Sequence, residues 1–171
     1  MFKSVKMTAV LLAGLMFSGM ALAQTKVAVV NFQAAIMGTE LAKSKINALK
    51  TSSEYSQLQS SAEGIQAEMQ KLADDAKKNG VTWSDEKKAE QQRKMNFKRS
   101  DLETAIKKLR AMEGQAVQEI QKAMVPKAKA AMEEVIKERK LDLVLDANTA
   151  VFAGPSTDLT GEVVKRMNAA K

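Results

Sequence analysis

The chain has 171 residues, with 27 Lys and Arg against 20 Asp and Glu, a formal charge of +7, and neither Cys nor His. The missing Cys rules out disulfides and thiolate chemistry, and the missing His removes the usual neutral-pH general base and the commonest metal ligand. Carboxylate pairs and Ser–Lys arrangements remain, but none stands out among so many surface residues of those types, so neither an enzyme nor a cofactor is expected.

In chain order, Lys3 and Lys6 precede an apolar run over residues 7–22, and Ala21 and Ala23 flank the step to Gln24. This reads as a secretory signal peptide over residues 1–23, cleaved after Ala23. The run is shorter than the roughly 20 residues of a spanning helix, and no basic stop-transfer cluster follows it. No Cys follows that could carry a lipid. Export without disulfides points to a bacterial periplasm.

Lys26-Val27-Ala28-Val29-Val30-Asn31-Phe32 is a β-branched apolar run of strand length. Residues 39–79 are rich in helix formers, with Tyr55, Leu58, Ala62, Ile65, Met69, Leu72 and Ala76 spaced by threes and fours as a heptad seam. Asn79-Gly80 ends that helix after Lys77 and Lys78, and Ser84 caps a returning one that begins with Asp85 and Glu86. Met95, Leu102, Leu109 and Ala116 continue the seam, with Ile106, Val117, Ile120 and Met124 beside it. Residues 39–79 and 84–124 are equal in length, which predicts an antiparallel hairpin reaching about 60 Å. Pro126 is expected to interrupt the return helix and kink it where the arm meets a compact base.

After residue 140, Leu141-Asp142-Leu143-Val144-Leu145-Asp146 alternates as a strand, Ala147-Asn148 suits a turn, and Thr149-Ala150-Val151-Phe152-Ala153 reads as a second strand of the same hairpin. Asp158 or Thr160 caps a last helix with Leu159, Val163 and Met167 on one face. The expected fold is α+β and mostly helical. A helical-hairpin arm over residues 39–124, turning near 79–83, projects from a small β-rich body of residues 24–38 and 125–171. So small a core is expected to oligomerise.

Charge is uneven. Residues 71–110 hold twelve basic and seven acidic side chains, while the rest of the chain after Ala23 is balanced. Any single lysine reads as part of a solvated helix face. Together, at the end of the arm, they form a funnel for acidic partners such as an anionic polypeptide or lipid phosphate. Nucleic acid is not expected, because the basic stretch lacks interleaved aromatic residues and the chain carries an export signal. Met95, Met112 and Met124 read first as seam packing and second as an adaptable apolar surface. Trp83, the one Trp of the chain, either folds back on Leu72 and Ala76 or is exposed for contact, since position 88, where an apolar staple partner belongs, is a lysine.

The ordered set of signal peptide, Lys26-Val27-Ala28-Val29-Val30-Asn31, basic-tipped helical hairpin, Leu141-Asp142-Leu143-Val144-Leu145-Asp146-Ala147-Asn148 and closing Asp158-Leu159-Thr160 resembles the Skp/OmpH family of periplasmic chaperones. The resemblance spans the chain after residue 23. It implies a homotrimer with a β-barrel body and tentacle-like arms, which holds unfolded outer-membrane protein precursors without ATP. The candidate client-contact residues are Lys77, Lys78, Trp83, Lys87, Lys88, Arg93, Lys94, Lys98 and Arg99. Some family members carry a proposed lipopolysaccharide-binding basic cluster on the arm, and its nearest equivalents here are Lys94, Lys98 and Arg99 with Lys77. The competing readings are a structural coiled-coil envelope protein without chaperone activity, against which the Asn79-Gly80 reversal counts, and a basic nucleic-acid binder, against which export counts.

Overall fold

The computed structural model describes residues 25–170, so the signal-peptide reading lies outside the described residues. Strand β1 (Val27–Val30) leads into helix α1 (Phe32–Met37), α2 (Glu40–Thr51) and α3 (Ser53–Asn79). A short 3₁₀ turn (Gly80–Thr82) precedes α4 (Asp85–Arg139), and β2 (Leu143–Asp146), a second 3₁₀ turn (Ala147–Thr149) and α5 (Thr160–Ala169) complete the chain.

Small polar side chains start each of the first three helices. Asn31 Oδ1 accepts from the amide of Ala34 at 2.8 Å and starts α1, an element that the sequence reading did not assign. Thr39 is fully buried; its hydroxyl donates to the Ile36 carbonyl at 2.8 Å and accepts from the Ala42 amide at 3.2 Å, joining α1 to α2. Ser52 takes an extended conformation between α2 and α3 and caps α3 by accepting from the Tyr55 amide. The outgoing helix expected over 39–79 is therefore two helices.

The arm is the antiparallel pairing of α3 on α4. Lys45 meets Glu119 at 3.2 Å, the Tyr55 hydroxyl donates to Glu113 at 2.6 Å and Lys98 meets Glu68 at 2.5 Å, so the partners descend one helix as they rise along the other. Tyr55, Ala62 and Ala105 are buried in the seam, while Leu58, Ile65, Met69, Leu72, Met95, Leu102 and Leu109 are half-buried, as a two-helix contact allows. Ala76, at the far end of the expected seam, is exposed.

Pro126 does not interrupt the return helix. It lies inside α4, which runs on to Arg139. A proline removes one i to i−4 hydrogen bond and costs about 3 kcal/mol in a helix interior. Here its own ring is exposed, while Met124, Ala128, Ala131 and Val135 on either side of it are buried in the core and hold the helix by packing. The helix ends at Lys140, the one non-glycine residue with positive φ among the described residues, at 52°. The Leu141 amide bonds back to the Ile136 carbonyl at 3.1 Å, which closes a Schellman-type cap.

The two strands do not form a hairpin with each other's neighbours. β1 pairs in parallel with β2, Val27 opposite Leu143 and Val30 opposite Asp146, so the whole arm serves as the crossover between them. The expected strand over residues 149–153 is absent. Asp146 accepts from the Asn148 amide at 2.8 Å and its carbonyl accepts from the Thr149 hydroxyl at 2.7 Å, curling the chain away from β2. The other edge of β1 is taken instead by residues 157–159: Val29 donates to Thr157 at 2.9 Å and Leu159 donates to Val29 at 3.0 Å. The body is consequently more helical than expected. Its core brings Ala28 and Val30 together with Ile36 of α1, Ile120, Met124 and Val135 of α4, and Leu159, Val163 and Met167, the anticipated face of the last helix. Asp158, not Thr160, receives the amide at the start of α5, that of Thr160 itself, at 2.9 Å.

Candidate interaction surface of the helical arm

The basic residues of the arm differ in how their charge is spent. Lys87 pairs with Glu90 at 3.4 Å and Lys88 with Asp85 at 3.5 Å, both within a turn of α4. Lys94 binds Glu90 at 2.6 Å, and Lys98 reaches across to Glu68 at 2.5 Å. The Lys94 and then the Lys87 ammonium hold the Glu90 carboxyl below the usual range, and Lys98 does the same to Glu68 while its own ammonium is raised. Among the described residues, Lys71, Lys77, Lys78, Arg93, Arg99, Lys107, Lys108 and Arg110 of this stretch have no carboxylate within ion-pair distance. They are exposed and carry the free positive charge of the distal arm.

Trp83 folds back. It is half-buried and lines a recess of about 420 Å³ with Leu72, Ala76, Gly80, Val81, Lys88, Gln91, Gln92 and Met95. Leu72 and Ala76, the residues expected of the folded-back arrangement, line the same recess. The main chain holds it there through a bond from the Trp83 amide to the Gly80 carbonyl at 3.4 Å.

A second recess, of about 560 Å³, lies between Lys71, Leu72, Glu68 and Asp75 of α3 and Lys94, Phe97 and Lys98 of α4. A third, of about 480 Å³, holds Met69, Ala73, Met95, Arg99 and Leu102. The four basic residues Lys77, Lys94, Lys98 and Arg99 thus do not converge. Lys94 and Lys98 share one recess with Lys71, Arg99 lines another, and Lys77 lines neither.

Phe97 was missed by the sequence reading. It is 70% exposed, in the middle of a basic stretch. Its position, two residues past Met95 and so off the seam, was the available signal. The three methionines divide: Met124 is buried in the body core, while Met95 and Met112 are half-buried and line recesses of the arm. On the body, Val151 and Phe152 are almost fully exposed, and Val27, Leu143 and Leu145 of the sheet are partly so. Beside them an apolar recess of about 430 Å³ is lined by Val30, Phe32, Met132, Ile136, Val144 and Leu145. Among the described residues no helix is long and apolar enough to cross a membrane, and no group of ligating side chains fits a metal ion.

The chain is 29% identical over 160 residues to a Skp-like protein of Pseudomonas aeruginosa, covering 91% of this chain and 92% of that one. A Caulobacter crescentus structure solved as a candidate OmpH-like outer membrane chaperone aligns with a TM-score of 0.49 at 16% identity, over 86% of each chain. The family model for outer membrane protein (OmpH-like) matches residues 26–167, from the first residue of the β1 run to the buried Met167 of α5, and the chain belongs to that family.

Proposed function

We propose that this protein is an ATP-independent holdase of the periplasm, which binds unfolded outer-membrane protein precursors and keeps them from aggregating before insertion. The observation that carries the reading is the arm itself. It is a two-helix projection that carries exposed, unpaired positive charges, Lys77, Lys78, Arg93 and Arg99 among them, and apolar recesses along the same helices. Such a surface attracts acidic chains over a distance and offers many weak apolar contacts without selecting one sequence. Membership of the OmpH-like family and the Skp-like relative support the same reading. The first 23 residues, as a cleaved signal peptide, supply the export that the role requires.

The working unit in this proposal is a homotrimer. Val151, Phe152 and the sheet residues Leu143 and Leu145 leave apolar surface in water, and further copies of the chain are the natural cover for it. Anionic lipid or lipopolysaccharide is a further proposed partner. Of the four residues considered for it, Lys94 and Lys98, joined by Lys71 around Phe97, retain a common face.

Co-elution tests the proposal. A urea-unfolded outer-membrane barrel protein diluted into the purified chain is expected to elute with it as a soluble complex, without nucleotide. A client that pellets alone, beside well-folded protein, would favour the structural envelope role instead.

A further inference from the structure

The turn at the end of the arm does not need an aromatic residue. Ser84 caps α4 through the Lys87 amide at 3.3 Å, the Thr82 hydroxyl bonds the Asn79 carbonyl at 2.8 Å, and Asn79 Nδ2 donates to Asp75 at 2.6 Å. The reversal is therefore closed by polar groups alone. Yet the chain places Val81 there, 94% exposed, and a half-exposed Trp83 beside it. Leaving such surface in water favours contact with something else.

The recess under Trp83 has the makings of an aromatic socket. The indole provides one wall, Leu72 and the Met95 thioether provide others, and a thioether is among the groups that contact aromatic rings favourably. About 420 Å³ of open volume accommodates a Tyr or Phe side chain with the main chain on either side. One wall also carries an unmet hydrogen-bond requirement: Gln91 Oε1 is shielded and receives no hydrogen bond. A hydroxyl or main-chain N–H entering the recess satisfies it once the amide turns outward. Lys88 stands in the wall, paired with Asp85 at 3.5 Å, and the unpaired Lys77, Lys78 and Arg93 are close by in sequence.

We infer that this recess is an anchoring site for one aromatic side chain of an extended polypeptide, with acidic residues next to that side chain drawn by the basic excess of residues 71–110. Trp83 and Met95 are then determinants of which client segments the arm tip holds. The inference rests on the holdase reading for its polypeptide partner, but not for its chemistry.

Because Trp83 is the one Trp of the chain, its emission reports the recess alone. The probe is a short peptide with para-bromophenylalanine between aspartates, a heavy-atom quencher at contact range, added to the protein purified after export. Saturable quenching is expected. Read by competition with the brominated peptide, an unbrominated peptide with Leu in place of Phe, or with Lys in place of the aspartates, should bind about five- to tenfold more weakly, the scale of one aromatic contact. Ala76→Glu, which alters an exposed wall residue, should weaken binding similarly while leaving the helical content unchanged. Displacement of the brominated peptide by the Leu peptide as effectively as by its Phe counterpart overturns the aromatic part. No quenching, with aggregation of a barrel client still suppressed, overturns the anchor and leaves the holdase. Emission that shifts with anionic vesicles but not with peptide overturns it in favour of a membrane contact. Quenching with no suppression of aggregation upholds the anchor and removes the holdase.

Discussion

Thr39 and Lys140 show how much of the body depends on single side chains. The Thr39 hydroxyl is buried and bonds both α1 and α2, so Thr39→Val, close in shape, leaves the Ala42 amide without its partner and the Ile36 carbonyl with only the 3.3 Å bond from the Thr39 amide. A loss of about 1–3 kcal/mol is expected by chemical denaturation, with Thr39→Ser restoring most of it. Lys140 points the other way. It holds a left-handed backbone at φ 52°, which costs a residue with a Cβ about 1 kcal/mol relative to glycine. Lys140→Gly should raise the melting temperature by a few degrees. Neither position was legible beforehand: Thr39 looked like the first polar residue of a long helix, and nothing in Arg139-Lys140-Leu141 announces a left-handed cap.

At the scale of elements, legibility followed periodicity. The seam from Tyr55 to Leu72 and from Met95 to Ala116 could be read from spacing, as could Leu159, Val163 and Met167, which are all buried. The breaks were harder. Thr51-Ser52-Ser53-Glu54 contains a good capping residue and an acidic first turn, but sits in a stretch whose helix formers hide it. Pro126 erred in the opposite sense, because core packing around Met124 and Ala128 outweighs a local breaker. Residues 149–153 alternate like a strand, yet the turn that Asp146 makes with Asn148 and Thr149 carries them away from the β2 edge a hairpin needs. The Tyr55–Glu113 bond ties the two arm helices near the Ser52 break. Tyr55→Phe should cost on the order of 1 kcal/mol and speed amide exchange in residues on both sides of that break.

For the whole molecule, α5 is held to α4 by charge as well as by core packing. Arg166 bonds Glu138 and meets Glu134 at 3.4 Å and Glu162 at 3.7 Å, and Arg139 also binds Glu162. The Arg166 guanidinium holds the Glu138 carboxyl below the usual range. Because that value is lowered on folding, the clamp's stability is present above the ordinary Glu value of about 4.3 and is lost as pH falls through the folded value. The melting temperature of Glu138→Gln should therefore lie below that of the parent at pH 7, and the gap should close below about pH 4. Along the arm the excess charge has a different role. Reversing Lys94, Lys98 and Arg99 to Glu should leave assembly intact and weaken capture of acidic clients most at low salt, where screening is least. Unchanged capture at low salt would remove the electrostatic part of the account. The excess of basic residues over 71–110 was plain from the sequence, whereas its division between paired lysines and free ones, and the exposure of Phe97, depended on which faces of α3 and α4 meet.

The most direct test of the holdase reading is light scattering after a urea-unfolded outer-membrane barrel protein is diluted out of denaturant, with and without this protein and with no nucleotide present. Scattering suppressed at about one assembled trimer per client is the predicted result. Undiminished scattering in the presence of well-folded protein would contradict it.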